Sequence, residues 1–153
     1  MKIGVPKEIK PQENRIGLTP ESAKVLVSNG HEVLIENNGG FEAGFDNDQY
    51  KKAGAKIVNK VEDIFNDAEI IVKVKEPLSN EVKMIRKNQI IFTYLHLAAA
   101  KELTEGLIKS KSVCIAYETV TDNNGKLPLL APMSAVAGRM SIQAGAHSLE
   151  KNQ

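Results

Sequence analysis

Short apolar runs alternate along this chain with stretches whose apolar residues recur at helical spacing. The runs predict strands at residues 2–5, at "HEVLIE" (31–36), "AKIV" (55–58), "EIIVKVK" (69–75), "QIIFTYLH" (89–96) and "SVCIAYE" (112–118). Between them lie predicted helices at "TPESAKVLVSNG", "DNDQYKKAG", "VEDIFND", "SNEVKMIRK" and "AAAKELTEGLIKS". Thr19 is placed to cap the first helix, with Pro20 at its first position, Glu21 and Ser22 in its first turn and Gly30 at its end. Gly54 stops the second, and Pro77 forces a break after which Ser79 is the expected cap of the fourth. "TDNNGK" predicts a turn and "LPLL" one more short strand. From Met133 on, Met133, Val136, Ala137, Met140, Ala144 and Ser148 recur at helical spacing, on a segment so dense in Ala, Gly and Ser that it is built for close packing against a neighbour.

Alternation of strand and helix predicts an α/β fold: a Rossmann-like or flavodoxin-like three-layer domain around a mostly parallel sheet with right-handed crossovers. The expected division is an α/β domain over residues 1–132, with the last helix starting at 133 and running toward 153.

In open parallel sheets of this kind, ligands bind outside the carboxyl ends of the strands. The fourth apolar run ends in Lys75 and the fifth in His96, both at that end. If the two strands are neighbours, the two side chains converge on one small ligand. The plainer readings are a solvated strand-end lysine and a hydrogen-bonded structural histidine. Arg15, in "KPQENRIGLTPE" after the first strand, lies at the same edge and offers a planar fork that matches a carboxylate. Its plainer reading is a surface arginine paired with Glu13 or Glu8. His31 reads as a polar residue leading a strand, and His147 as a helix surface residue.

Composition narrows the field. The chain has 153 residues, 42% hydrophobic and 25% charged, with a net charge of +1 and 5% aromatic residues. That suits one soluble globular domain and gives no support to a nucleic-acid partner. No apolar run approaches the roughly 18 residues of a membrane span. "MKIGVPKEIKP" lacks the long apolar core of a signal peptide, so a reducing, cytoplasmic setting is expected. The single cysteine, Cys114, excludes an internal disulfide and reads as a buried core thiol. Three scattered histidines give no metal-ligand spacing, so no metal is expected. None of the 11 glycines forms the G-x-G-x-x-G loop of a dinucleotide site.

"MKIGVPKEIKPQENRIGLTPE", "VKVKEPLSNE", "YLHLAA", "AYETV" and "LLAPMSAVAGRMSIQAGAHSLEK" together resemble the N-terminal part of the bacterial alanine dehydrogenases, in the alanine dehydrogenase and nicotinamide nucleotide transhydrogenase family. The resemblance runs from Met1 to the last residues, with the motifs in order. The transhydrogenase α-subunits share the fold and the "E-x-R-x-x-x-T-P" opening, but are not expected to keep the Lys of "VKEP" or the His of "YLHLA". Both stand here, as Lys75 and His96. The resemblance implies NAD as cofactor and the reversible oxidative deamination of L-alanine to pyruvate and ammonium. It carries the substrate-carboxylate role onto Arg15, carbonyl polarisation onto Lys75, acid/base work onto His96, and cofactor contact onto Ser134 with Met133 beside it. Family members form homo-hexamers and continue well beyond Gln153 into a Gly-rich NAD domain. The expectation is therefore that this chain is the truncated, substrate half of an enzyme, inactive alone. The alternatives are a transhydrogenase subunit and a non-enzymatic module that binds a small acid.

Overall fold

The computed structural model of the chain describes residues 1–151. It divides into two compact units, Met1–Ala116 and a second beginning at Tyr117. The first unit runs β1 (Lys2–Val5), α1 (Pro20–Ser28), β2 (Glu32–Glu36), α2 (Asn47–Lys52), β3 (Lys56–Val58), α3 (Val61–Asp67), β4 (Ile70–Val72), α4 (Ser79–Val82), β5 (Ile90–Thr93), α5 (Lys101–Ser110) and β6 (Val113–Ala116). The second contains α6 (Ala131–Ser148).

All six strands pair parallel, in the order β3-β2-β1-β4-β5-β6. This is the doubly wound order in which the chain reverses direction across the sheet between β1 and β4. The expected Rossmann-like α/β class is what the chain adopts. Strand alternation sends residues to two faces. Ile3, Val5, Val33, Ile35 and Val72 pack on one side with Ala23 of α1 and Tyr50 of α2. Ile71 and Ile91 pack on the other with Ile64 and Phe65 of α3 and Leu107 of α5. Val5, Ile35, Ile71 and Ile91 are fully buried, each contributing about 1.5–3 kcal/mol of transfer free energy. β1 and α3 meet so closely that a Cβ on Gly4 would fall 2.6 Å from Ile64 Cγ2.

The caps explain most boundaries. Thr19 accepts the N–H of Ser22 ahead of Pro20, as its spacing predicts. Asp46 and Gln49 form a reciprocal capping box on α2. Gly30 and Gly54 carry the positive φ that ends α1 and α2.

Several elements differ from the sequence reading. β4 stops at Val72 and β5 at Thr93. The N–H groups of Val74 and Lys75 leave the ladder for the Glu8 carboxylate. α4 covers four residues, not nine, and its cap is Leu78, not Ser79. The Glu81 side chain takes the Leu78 N–H. Just beyond α4, the Arg86 guanidinium turns back to the carbonyls of Phe65 and Ala68 at the end of α3. The start of the predicted fifth helix is a 3₁₀ turn at Leu97–Ala99. "LPLL" forms no strand. Leu127 O instead accepts from Leu130 and Ala131, leading into α6 two residues before Met133. Cys114 is half-buried on the edge strand β6, 3.4 Å from Ser112 Oγ, and packs against the core cluster from its rim and not from inside it. Among the described residues, no helix is long and apolar enough to cross a membrane, and no group of three or more His, Cys, Asp or Glu is placed to hold a metal ion.

Candidate functional site

Three loops leave the carboxyl ends of β1, β4 and β5, and each carries one sequence-predicted residue. The loop after β1 spans residues 6–19 and bears Arg15. Gly17 lets it lie directly on the end of β4, since a Cβ there would fall 2.6 Å from the Val72 carbonyl oxygen. The loop is tied down from below by the Tyr50 hydroxyl, which donates to Leu18 O at 2.8 Å. Lys7 N–H fixes its start by donating to the Glu36 carboxylate at 2.7 Å.

Arg15 is half exposed and forks onto Glu13, with Nε donating to Oε1 at 2.7 Å and Nη2 to Oε2 at 2.6 Å. Of the two partners the sequence offered, Glu13 is thus one that it has. The Arg15 hydrogen bond holds the Glu13 carboxyl below its ordinary range, with the Lys75 charge adding to the effect. The same hydrogen bond, donated to Glu13, raises the Arg15 pKa, and the Glu13 charge acts in the same direction. Arg15 and Lys75 both act on the Glu13 carboxylate above the β1/β4 reversal point.

Lys75 is half-buried, three residues past the end of β4, on backbone that is bonded on both sides. Its N–H and that of Val74 donate to Glu8 Oε1 at 3.3 and 2.6 Å. Its carbonyl accepts from Thr93 Oγ1 at 2.9 Å. Beneath it, Lys73 is buried between Glu8 Oε2 at 3.2 Å and Glu81 Oε1 at 2.8 Å, with all three side chains only 1–2% exposed. Sequence reasoning missed Glu8, Lys73 and Glu81. The available signal was a lysine between two valines in "IIVKVKEP", which needs buried counter-charge.

β4 and β5 stay side by side past their formal ends: Lys73 N–H donates to Phe92 O at 3.1 Å and Tyr94 N–H to Val74 O at 3.3 Å. This brings His96 to the strand-end loop beside that of Lys75. His96 is exposed and left-handed (φ 49°), a conformation that costs a non-glycine residue about 1–2 kcal/mol. Its ring stacks on Tyr94, with centroids 6.3 Å apart and planes 18° apart. The strained backbone ends the extended alternation at this residue and re-aims the imidazole.

Met133 and Ser134 lie in the first turn of α6, in the second unit, where Ser134 N–H donates to Leu130 O at 3.1 Å. Met133, Val136 and Met140 are exposed, and no residue of α6 is buried. His147 is exposed at the last turn of α6, 3.5 Å from Glu150. His31 precedes β2, its Nδ1 3.4 Å from the N-terminal amine. A groove of about 830 Å³ between α4 and α5, lined by Pro77, Leu78, Val82 and Leu103, contains Glu76 but none of the three cationic or imidazole groups.

Two cations and an imidazole thus stand on three loops at one edge of the parallel sheet. The residues present do not form a pyrophosphate cradle: β1 runs into a charged 14-residue loop instead of a Gly-rich turn at a helix N-terminus.

Residues 4–137 match the family model described as alanine dehydrogenase/PNT, N-terminal domain. An alanine dehydrogenase of Halomonas elongata is 55% identical over the whole chain, which covers 41% of that protein. One of Geobacillus stearothermophilus is 53% identical over 99% of the chain and 41% of its own length. A solved L-alanine dehydrogenase superposes with a TM-score of 0.92 at 54% identity, covering all of this chain and 42% of that one. A transhydrogenase from Sinorhizobium meliloti shares the fold at a TM-score of 0.75 and 24% identity, over 81% of this chain and 35% of that one. The chain spans about two fifths of the length of the curated relatives it matches. On this evidence the chain belongs to the alanine dehydrogenase/PNT N-terminal domain family.

Proposed function

We propose that this chain is the substrate half of an alanine dehydrogenase, which interconverts L-alanine, NAD⁺ and water with pyruvate, ammonium and NADH. In this reading residues 1–132 are the substrate-binding domain, and the helix from 133 leads toward an NAD-binding domain. The observation that carries it is the placing of Arg15, Lys75 and His96 on the three loops after β1, β4 and β5.

Arg15 binds the substrate carboxylate. Glu13 holds the guanidinium by its Nε and Nη2 donors, which fixes the plane of the fork. The Lys75 ammonium donates to the pyruvate carbonyl oxygen and stabilises the negative charge that develops there as ammonia attacks C2. His96 gives and takes the protons that accompany formation of the carbinolamine and its loss of water to the imine, work suited to an imidazole near neutral pH. When bound, NAD⁺ would supply the acceptor for the hydride that leaves Cα of L-alanine. Ser134, through its hydroxyl, and Met133 are the residues of this chain that would hold it. The reading carries with it a cytoplasmic, homo-hexameric protein.

The test is NADH oxidation by the full-length native protein. Consumption that needs both pyruvate and ammonium supports the dehydrogenase. Hydride transfer between nucleotides without either substrate would replace it with a transhydrogenase.

A further inference from the structure

Glu8 stands out among the groups that the proposed chemistry does not use. It is 6% exposed, with its side chain only 2% exposed, and it reaches across from the loop after β1 to the loop after β4. One carboxylate oxygen takes the N–H groups of Val74 and Lys75, and the other takes the Lys73 ammonium. Lys73 passes the connection to Glu81, whose second oxygen takes the Leu78 N–H. Both ends of the 73–78 loop are therefore held by one buried chain of charge-assisted hydrogen bonds, the strong kind. A surface lysine needs no such support. A four-carbon side chain that must present its ammonium to one atom needs its Cα fixed, since a misplacement of about 1 Å costs on the order of 10²-fold in rate.

We propose that Glu8 is a positioning residue: it fixes the backbone of Lys75, and so aims that ammonium at the substrate carbonyl, while Glu81 serves only the stability of the buried triad. The inference rests on the substrate role assigned to Lys75 above. The geometry separates the two acids. Both contact Lys73, but only Glu8 touches the Lys75 N–H.

The test compares Glu8→Gln with Glu81→Gln in the full-length protein. Each isosteric change leaves Lys73 paired with the other carboxylate, so no buried cation is stranded. Three readouts are taken: melting temperature, kcat and KM for pyruvate in NADH oxidation, and hydrogen exchange at the Val74 and Lys75 amides. Comparable losses of melting temperature are expected in the two variants. Glu8→Gln alone should lower kcat at least tenfold with a smaller rise in KM, and should speed exchange at both amides. Added to Lys75→Ala, Glu8→Gln should cause less than a twofold further loss, because there is then no ammonium to aim. Equal kcat losses in the two variants, or an undiminished Glu8→Gln effect in the Lys75→Ala background, would overturn the proposal and leave Glu8 structural. If Glu8→Gln does not fold, the amide exchange and kcat of Glu8→Asp, which withdraws the carboxylate by one methylene, decide between the same outcomes. Full activity in Lys75→Ala by itself would instead remove the reading on which the inference rests.

Discussion

Lys75 and His96 stand on the loops after neighbouring parallel strands, and since Val72 pairs with Phe92, the register carries Lys75 to Leu95 and sets His96 one residue farther along. The Thr93 hydroxyl at the end of β5 donates to the Lys75 carbonyl and ties that strand end to the Lys75 loop. The difference between them is backbone strain, which falls on His96 alone of the pair. His96→Asn is the informative change, because asparagine tolerates the left-handed region and holds no titratable proton. Stability should stay within about 1 kcal/mol of wild type in urea denaturation, while turnover of pyruvate and ammonium falls roughly 10²- to 10⁴-fold.

Gly17 couples the Arg15 loop to the sheet. In Gly17→Ala the new methyl meets the Val72 carbonyl oxygen at 2.6 Å and the Lys73 nitrogen at 3.2 Å, and backbone atoms cannot swing aside. The expected cost is about 1–3 kcal/mol by urea denaturation. Affinity for pyruvate should weaken as well, because the same shift displaces Arg15.

Glu13 and Glu36 give stability opposite dependences on pH. The Arg15 hydrogen bond lowers the Glu13 pKa, so its contribution is complete above the ordinary 4.5 and is lost as pH falls through the lower folded value. Burial raises the Glu36 pKa, against the opposing hydrogen bond from Lys7 N–H and the Lys73 charge. The fold therefore favours protonated Glu36, whose contribution declines as pH rises above 4.5 through the raised folded value. Melting temperatures measured from about pH 3 to about pH 7 should show a shallower acid-side loss in Glu13→Gln and a shallower decline above 4.5 in Glu36→Gln.

Lys73 is the counter-ion of a buried pair of acids. Lys73→Met removes it and strands Glu8 and Glu81, each side chain 2% exposed, with Glu36 near enough to feel the Glu81 charge. A loss of about 3–5 kcal/mol is expected in chemical denaturation. Replacing both acids by glutamine in the same variant should recover part of that loss, since no buried charge then lacks a partner.

The alternation of strands and helices was legible because its signals are local: Thr19 before Pro20, Gly30, Gly54 and the apolar runs each act within a few residues. Arg15, Lys75 and His96 were legible as strand-end residues, and the parallel order of β1, β4 and β5 places all three loops at one edge. What escaped depends on contacts distant in sequence. Lys73 meets Glu8 across 65 positions, and Arg86 meets Phe65 and Ala68 across 21 and 18. Those contacts shorten β4 and α4, and no local propensity announces them. The conformation of His96 was hidden for the same reason, since a histidine in the left-handed region is imposed by its surroundings.

The most direct test of Lys75 as a substrate ligand is the pyruvate dependence of NADH oxidation in the full-length protein, compared between wild type and Lys75→Ala with ammonium saturating. Wild type is expected to turn over only with both substrates present, and Lys75→Ala to lose at least about 10²-fold in kcat/KM while its melting temperature is preserved. A Lys75→Ala protein that keeps wild-type kcat/KM would contradict the assignment of this loop cluster as the substrate site.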